Sequence, residues 1–92
     1  MPRFLIEVPH DNTKNACMQA VKIFHQTGSH FMTNADWGCA DNEHKAWFVV
    51  ELDSKEQALS ILPSNFRPKA KVIELRKLSP EVFDEAVDLH SG

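Results

Sequence analysis

The sequence predicts a single small α+β domain, and three observations support this class. The 92 residues are enough for one domain. Hydrophobic residues make up 42% and charged residues 25%, close to the globular averages of roughly 45–50% and 25%, so a core can form without disulfides. Hydrophobic residues recur at every second position in some segments and at helical spacing in others, which predicts alternating strands and helices.

The first two elements are a strand and a helix. Residues 3–10 alternate between apolar and other side chains, which predicts a strand buried mainly on one face. Asp11 or Asn12 can cap a helix that runs to about Thr27, with Gly28 as a stop signal. The apolar residues of this helix have helical spacing: Ala16, Cys17, Ala20, Val21 and Phe24.

The middle of the chain predicts a hairpin. A period of two returns at His30 and predicts a second strand to Cys39. After the polar residues 40–43, a third strand runs from His44 to Leu52. In this hairpin Cys39 is expected to lie opposite His44.

The last third of the chain predicts a short helix, a strand and a terminal helix. Asp53 or Ser54 caps the short helix, and Pro63 ends it. A fourth strand covers residues 70–76. A serine cap followed by proline at the first helical position predicts a C-terminal helix at 80–90.

This order of elements is the ferredoxin-like βαββαβ arrangement, with a core at 3–78 and an extra C-terminal helix in one domain over 1–92. Right-handed crossovers predict the sheet order 4-1-3-2, with both main helices on one face. The other face is expected to be open and to carry an apolar set: Leu5, Met32, Trp47, Val49 and Val72. Because monomers rarely expose such a patch, a homodimer through this face is expected, or partial cover by the C-terminal helix.

Several function classes are excluded or disfavoured. A net charge of −3 disfavours binding to a nucleic-acid backbone. The longest apolar run near the N-terminus is Phe4-Leu5-Ile6, far shorter than a signal-peptide core or a membrane span, so a cytoplasmic location is expected. The sequence contains no Gly-x-Gly-x-x-Gly, phosphate loop, His-Glu-x-x-His or Cys-x-x-Cys, which removes the commonest nucleotide-binding and zinc-protease sites.

Two stretches carry a resemblance to a known family. The opening Met-Pro-Arg-Phe-Leu-Ile-Glu and the later Val-Glu-Leu-Asp-Ser-Lys-Glu-Gln-Ala resemble the small dimeric α+β-barrel proteins. The resemblance covers most of residues 1–78 and is nearest to a short, mostly uncharacterised group that includes a nickel-binding protein. It implies a homodimer and possible metal binding, although the family also contains cofactor-free isomerases and monooxygenases.

Five histidines and two cysteines provide candidate metal ligands. In the predicted topology His10, Cys39 and His44 lie at one sheet edge, and side-chain alternation turns all three toward the helices. Cys17, on the sheet-facing side of the first helix, is the candidate fourth ligand of a zinc, nickel or copper site. The alternative is that the histidines are solvated and the cysteines are packed as small hydrophobic residues.

A second group of residues lies at the same end of the sheet but on the open face. Glu7, Asp36 and Trp47 place carboxylates beside an indole, an environment that can raise a pKa and support acid or base catalysis. Asp36 and Trp47 are the candidate catalytic residues. The alternative is a solvated face on which Trp47 packs against a dimer mate or the terminal helix.

Three functions therefore remain open from the sequence. The first is a binding protein for a transition metal or a compact ligand. The second is a cofactor-free enzyme with Asp36 or His44 as proton carrier, in a cavity lined by Trp37 and Trp47. The third is an interaction module without small-molecule chemistry.

Overall fold

A computed structural model describes residues 1–26 and 30–80 of the chain. The described part has the predicted α+β class. Its elements, in chain order, are β1 (Arg3–Pro9), α1 (Lys14–Gln26), α2 (His30–Thr33), β2 (Asp36–Trp37), a 3-10 helix (Cys39–Asp41), β3 (Lys45–Glu51), α3 (Lys55–Ser60), a second 3-10 helix (Arg67–Lys69) and β4 (Lys71–Leu75).

The four strands form one antiparallel sheet in the order β2-β3-β1-β4. Read from the opposite edge, this is the order 4-1-3-2. The long strands β1 and β3 occupy the centre, with Leu5 opposite Val49 and Val8 opposite Ala46. Because the two strands are antiparallel, β1 ends and β3 begins at the same edge of the sheet, with Pro9 opposite Lys45.

The core lies between the sheet and the helices. Phe4, Ile6 and Val8 are each at most 2% exposed, because alternate residues of β1 face the helices. Phe24 of α1 packs its ring edge-on against Phe48 of β3. Burying these side chains is the main favourable contribution to folding.

The predicted second strand, from His30 to Cys39, is wrong except at Asp36 and Trp37. Residues 30–33 form the helical turn α2, and β2 contains only Asp36 and Trp37. Met32, which was expected on the open face, is 1% exposed and belongs to the core. The short helix is stabilised at its end because Thr33 Oγ1 and Asn34 Nδ2 both donate to His30 O. The mixed polar and apolar residues of this segment fit both the spacing of a strand and that of a helix. Packing of Met32 in the core favours the helical turn.

The predicted position of Val72 is also wrong. Val72 lies opposite Ile6 in the sheet and packs against the core. Its neighbour Ile73 lies opposite Leu5 and is 38% exposed on the open face. Because Val72 and Ile73 are both apolar, the sequence does not indicate which of them faces the core. The register against β1 determines that Val72 does.

The predicted N-cap is wrong for α1 and confirmed for α3. The N-cap of α1 is Thr13, whose Oγ1 accepts from Ala16 N, and neither Asp11 nor Asn12 fills this position. For α3 the predicted Ser54 cap is confirmed, since its hydroxyl accepts from Gln57 N. The predicted limit of the first helix at 27–28 and nearly all of the predicted helix at 80–90 lie outside the described residues.

Within the described ranges, no helix combines the length and hydrophobicity needed to traverse a lipid bilayer.

Candidate metal centre

The candidate site is formed where β1 ends and β3 begins. His10 directly follows β1, and its backbone N–H donates to the carbonyl of His44, which directly precedes β3, at 3.0 Å. This bond continues the β1–β3 ladder by one residue. Since residues paired across a sheet share a face, it holds the two imidazoles side by side, with ring centroids 5.8 Å apart.

A tight turn brings Cys39 to the same place. Gly38 N donates to Lys45 O at 3.1 Å, and Glu43 N donates back to Gly38 O at 2.9 Å. Gly38 has no room for a side chain, since a Cβ would lie 2.7 Å from both Glu43 O and the Trp47 ring. The chain then reverses at Asn42, which has a left-handed φ of 61°. The β2–β3 pairing contains only Asp36 with Trp47 and Trp37 with Ala46, so the predicted strand pair of Cys39 with His44 is not formed. Cys39 instead begins the 3-10 helix of the turn.

The structure brings together the three ligands predicted at this edge. One nitrogen of His10, one nitrogen of His44 and the sulfur of Cys39 all lie within 4.8 Å of one another. Cys39 Sγ is 3.2 Å from His10 Nε2. Ligand bonds of about 2.0–2.3 Å in a tetrahedral site separate neighbouring ligand atoms by roughly 3.3–3.8 Å, so small side-chain rotations are sufficient. The group could hold a metal ion.

Cys17 reaches this cluster through Cys39. It lies in the first turn of α1, where its backbone N–H donates to Thr13 O at 3.0 Å. Its sulfur is 2.7 Å from Cys39 Sγ, and both thiols are free and half-buried. The predicted fourth ligand is therefore in contact with one member of the cluster, although it does not itself belong to the compact three-residue group.

The imidazole of His44 is oriented by a neighbouring side chain. His44 Nε2 lies 3.1 Å from Asn42 Oδ1, and since this oxygen only accepts, the imidazole nitrogen donates its proton. In the neutral imidazole the other nitrogen, Nδ1, then carries the lone pair. It is buried and has no hydrogen-bond partner within the described chain, and the same is true of His10 Nδ1.

Burial and proximity change the protonation of two candidate ligands. Burial lowers the pKa of His10, the neighbouring His44 lowers it further, and Asp11 opposes both effects. Burial raises the pKa of the Cys39 thiol to about 11, and contact with Cys17 adds to this effect. At neutral pH the imidazole of His10 is available as a neutral ligand, whereas Cys39 must lose a proton to bind a metal.

The candidate catalytic residues lie on the other face of the sheet. Trp47 is opposite Asp36, and its indole N–H donates to Glu7 Oε1 at 3.1 Å. The same carboxylate oxygen is 3.8 Å from Lys45 Nζ. Trp37 instead packs on the helix side, 5.0 Å from the Phe24 ring. The two tryptophans therefore do not face a common cavity within one chain, and a catalytic role for Asp36 and Trp47 stays a prediction.

Sequence reasoning missed two features that support the cluster. It assigned no role to Asn42, although an asparagine in a polar turn is a recognised signal for a left-handed residue. It also missed that Trp37 packs beside His10, with ring centroids 5.9 Å apart. His10 and Trp37 are far apart along the chain, which hides their contact. Asn42 is only two positions from His44, so the local turn signal could have indicated that contact.

No family model matches the chain, and neither do the curated proteins or the solved structures with which it was compared.

Proposed function

We propose that this protein binds a transition-metal ion through His10, Cys39 and His44, with Cys17 as the fourth ligand. The observation that carries the proposal is the Nδ1 of His44, which is buried and has no hydrogen-bond partner among the described residues, while Asn42 holds the other nitrogen of the ring. A buried acceptor without a partner costs about 1–3 kcal/mol, so such an atom is rare unless it has a role. Metal-bound histidines commonly donate their second ring nitrogen to an oxygen in this way.

The donor set favours a borderline or soft metal. Two imidazoles and two thiolates suit zinc in a four-coordinate tetrahedral site, whereas calcium and magnesium prefer oxygen ligands. Nickel and copper also accept these donors, and their preferred geometry differs from that of zinc. We therefore take zinc as the first metal to test, with nickel and copper(I) as competitors.

The test is a metal titration of the reduced, metal-free chain produced without a histidine tag. We expect one equivalent of zinc to bind. His44→Ala and Cys39→Ser should each weaken binding at least about a hundredfold, since loss of even an outer partner costs about 10–100-fold. His30→Ala is the matched control, because His30 is exposed and lies in α2, away from the cluster. Uptake below about 0.1 equivalent, or equal affinity in all variants, would refute the proposal.

Cobalt substitution tests whether Cys17 is a ligand. Cobalt bound to thiolates absorbs in the near ultraviolet through sulfur-to-metal charge transfer, with an intensity that grows with the number of sulfurs. If both thiolates bind, Cys17→Ser should lose about half of this band and keep the metal. An unchanged band would leave Cys17 outside the coordination sphere.

The remaining expectations are proposals of the same kind. The strand order, with helices packed on one face, supports a ferredoxin-like fold. The exposed side chains of Val49 and Ile73 support a homodimer through the open face. A cytoplasmic location would keep Cys17 and Cys39 reduced and available for metal.

A further inference from the structure

We propose that Cys17 and Cys39 form a reversible disulfide within one chain, and that its formation removes both thiolates from the metal and releases the ion. The first half of this inference stands on the arrangement of the two thiols. The second half rests on the proposed function. Together they make the cluster a redox-controlled metal site.

The separation of the two sulfurs lies between two bonded arrangements. The sulfurs are 2.7 Å apart. A disulfide needs about 2.03–2.05 Å, so the sulfurs must approach by roughly 0.65 Å. A tetrahedral zinc ion with bonds of about 2.3 Å holds two sulfurs roughly 3.8 Å apart, so they must separate by roughly 1.1 Å. The two states therefore exclude each other, and the described geometry is within a small movement of both.

The elements that carry the two cysteines permit this movement. Cys17 lies in the first turn of α1, and Cys39 begins a 3-10 helix of three residues. Neither belongs to the central strands β1 and β3. Both side chains are half-buried, so a small oxidant can reach them while bulk solvent is partly excluded.

The oxidant in this reaction is hydrogen peroxide. One thiolate attacks a peroxide oxygen, the O–O bond breaks, and a sulfenic acid and a hydroxide form; the hydroxide takes a proton from solvent and becomes water. The second thiol attacks the sulfenic sulfur, which forms the S–S bond and expels a second water. Starting from metal-bound thiolates, the same reaction takes up two protons from solvent and frees the cation. A dithiol reductant reverses it by thiol–disulfide exchange and is itself oxidised.

The first experiment uses the reduced, metal-free chain and a slight excess of hydrogen peroxide. We expect free thiols, measured after denaturation, to fall from two per chain to none, with loss of two hydrogen atoms in the intact mass. Dithiothreitol should restore both thiols. Cys17→Ser and Cys39→Ser should instead give sulfenic acid that reacts with dimedone, or linked dimers. Retention of both thiols, or disulfides only between chains, would overturn the proposal.

The second experiment loads the chain with zinc and adds peroxide in the presence of a chromogenic chelator. We expect one zinc released for each disulfide formed. Zinc that stays bound after complete disulfide formation would overturn the release step. His44→Ala keeps both thiols, so it should form the disulfide with weakened zinc binding. A disulfide in a wild-type chain that never binds zinc when reduced would refute the proposed function and the release step, while confirming the thiol pair as an oxidation site.

Discussion

At the scale of single residues, the candidate site is shaped by the contacts of each potential ligand atom. His44 has one ring nitrogen held by Asn42, and the other is buried with no hydrogen-bond partner among the described residues. Cys39 lies between a thiol at 2.7 Å and an imidazole at 3.2 Å. An oriented imidazole loses little rotational freedom on binding a cation, which strengthens the bond.

Replacing Asn42 tests this orientation without removing a ligand. Asn42→Gly keeps a backbone that accepts the φ of 61° but deletes the oxygen that holds His44. We expect zinc affinity to fall by about 10–100-fold, measured by chelator competition. Asn42→Asp keeps an acceptor and should retain the affinity. Equal affinity in Asn42→Gly and wild type would show that the hydrogen bond does not orient the ligand.

The pH dependence of binding should reveal whether the Cys39 thiolate coordinates the metal. Because the pKa of Cys39 is raised to about 11, this thiol is protonated at neutral pH and must release its proton to the solvent. Apparent zinc affinity should therefore rise with pH, by about tenfold per unit for each thiol that deprotonates. The pKa of His10 is lowered, so proton competition at its ring is confined to acidic solution.

The measurement is zinc affinity between about pH 7 and 8.5, well below the pKa of about 11 of Cys39. Coordination by the Cys39 thiolate predicts a slope of at least about one on a logarithmic plot. Cys39→Ser should reduce this slope by about one. A slope of zero in the wild type would contradict thiolate coordination.

At the scale of elements, the site depends on the tight turn between β2 and β3. This turn is short because Gly38 lies against Glu43 and the Trp47 ring with no space for a Cβ. Two hydrogen bonds between Gly38 and residues 43–45 close it. The turn, rather than a long second strand, therefore aims Cys39 at His10 and Cys17.

Enlarging Gly38 should disturb both stability and binding. In Gly38→Ala the new methyl group overlaps Glu43 O and the Trp47 ring at 2.7 Å. Overpacking of this kind costs about 1–3 kcal/mol, measured by urea unfolding of the metal-free chain. Zinc affinity should also fall, because Cys39 is the next residue. Ala40→Ser, an exposed change in the same turn, should alter stability by less than about 0.5 kcal/mol. Unchanged stability in Gly38→Ala would mean that the turn relaxes freely.

At the scale of the whole molecule, one sheet face is covered and the other is partly apolar. The helices bury the face that carries Phe4, Ile6 and Val8. On the other face Val49 is 50% exposed and Ile73 is 38% exposed. The cluster of His10, Cys39 and His44 lies on the covered side, so association through the open face would not obstruct it.

The homodimer proposal is tested by placing a charge at the centre of the open face. Light scattering at micromolar concentration should give the mass of two chains rather than the 10.5 kDa of one. Val49→Lys should shift the protein toward the monomer, because a buried unpaired charge is costly. Met18→Lys is the control, since Met18 is exposed on α1 and is replaced in the same way. A monomeric wild type would exclude this interface under those conditions.

The sequence by itself determined the elements whose pattern is strong and local. Strand β1 alternates so regularly that its buried side could be assigned residue by residue, and β3 does the same. Because residues opposite each other across a sheet share a face, these two strands also predicted that His10 and His44 would meet. The prediction for Cys39 depended on a second strand that reached residue 39, whereas a 3-10 helix carries this residue to the cluster. The Ser54 cap followed from a hydrogen bond between neighbouring residues.

Only the tertiary structure decided the features that depend on distant partners. Met32 is helical and buried because the core accepts it there, although its segment also fits a strand. The side on which Val72 or Ile73 emerges depends on the register against β1. Contact between Cys17 and Cys39 needs α1 and the β2–β3 turn to pack together, 22 positions apart in the chain. Side-chain periodicity records which face of an element is apolar, and packing determines which residues of different elements meet on that face.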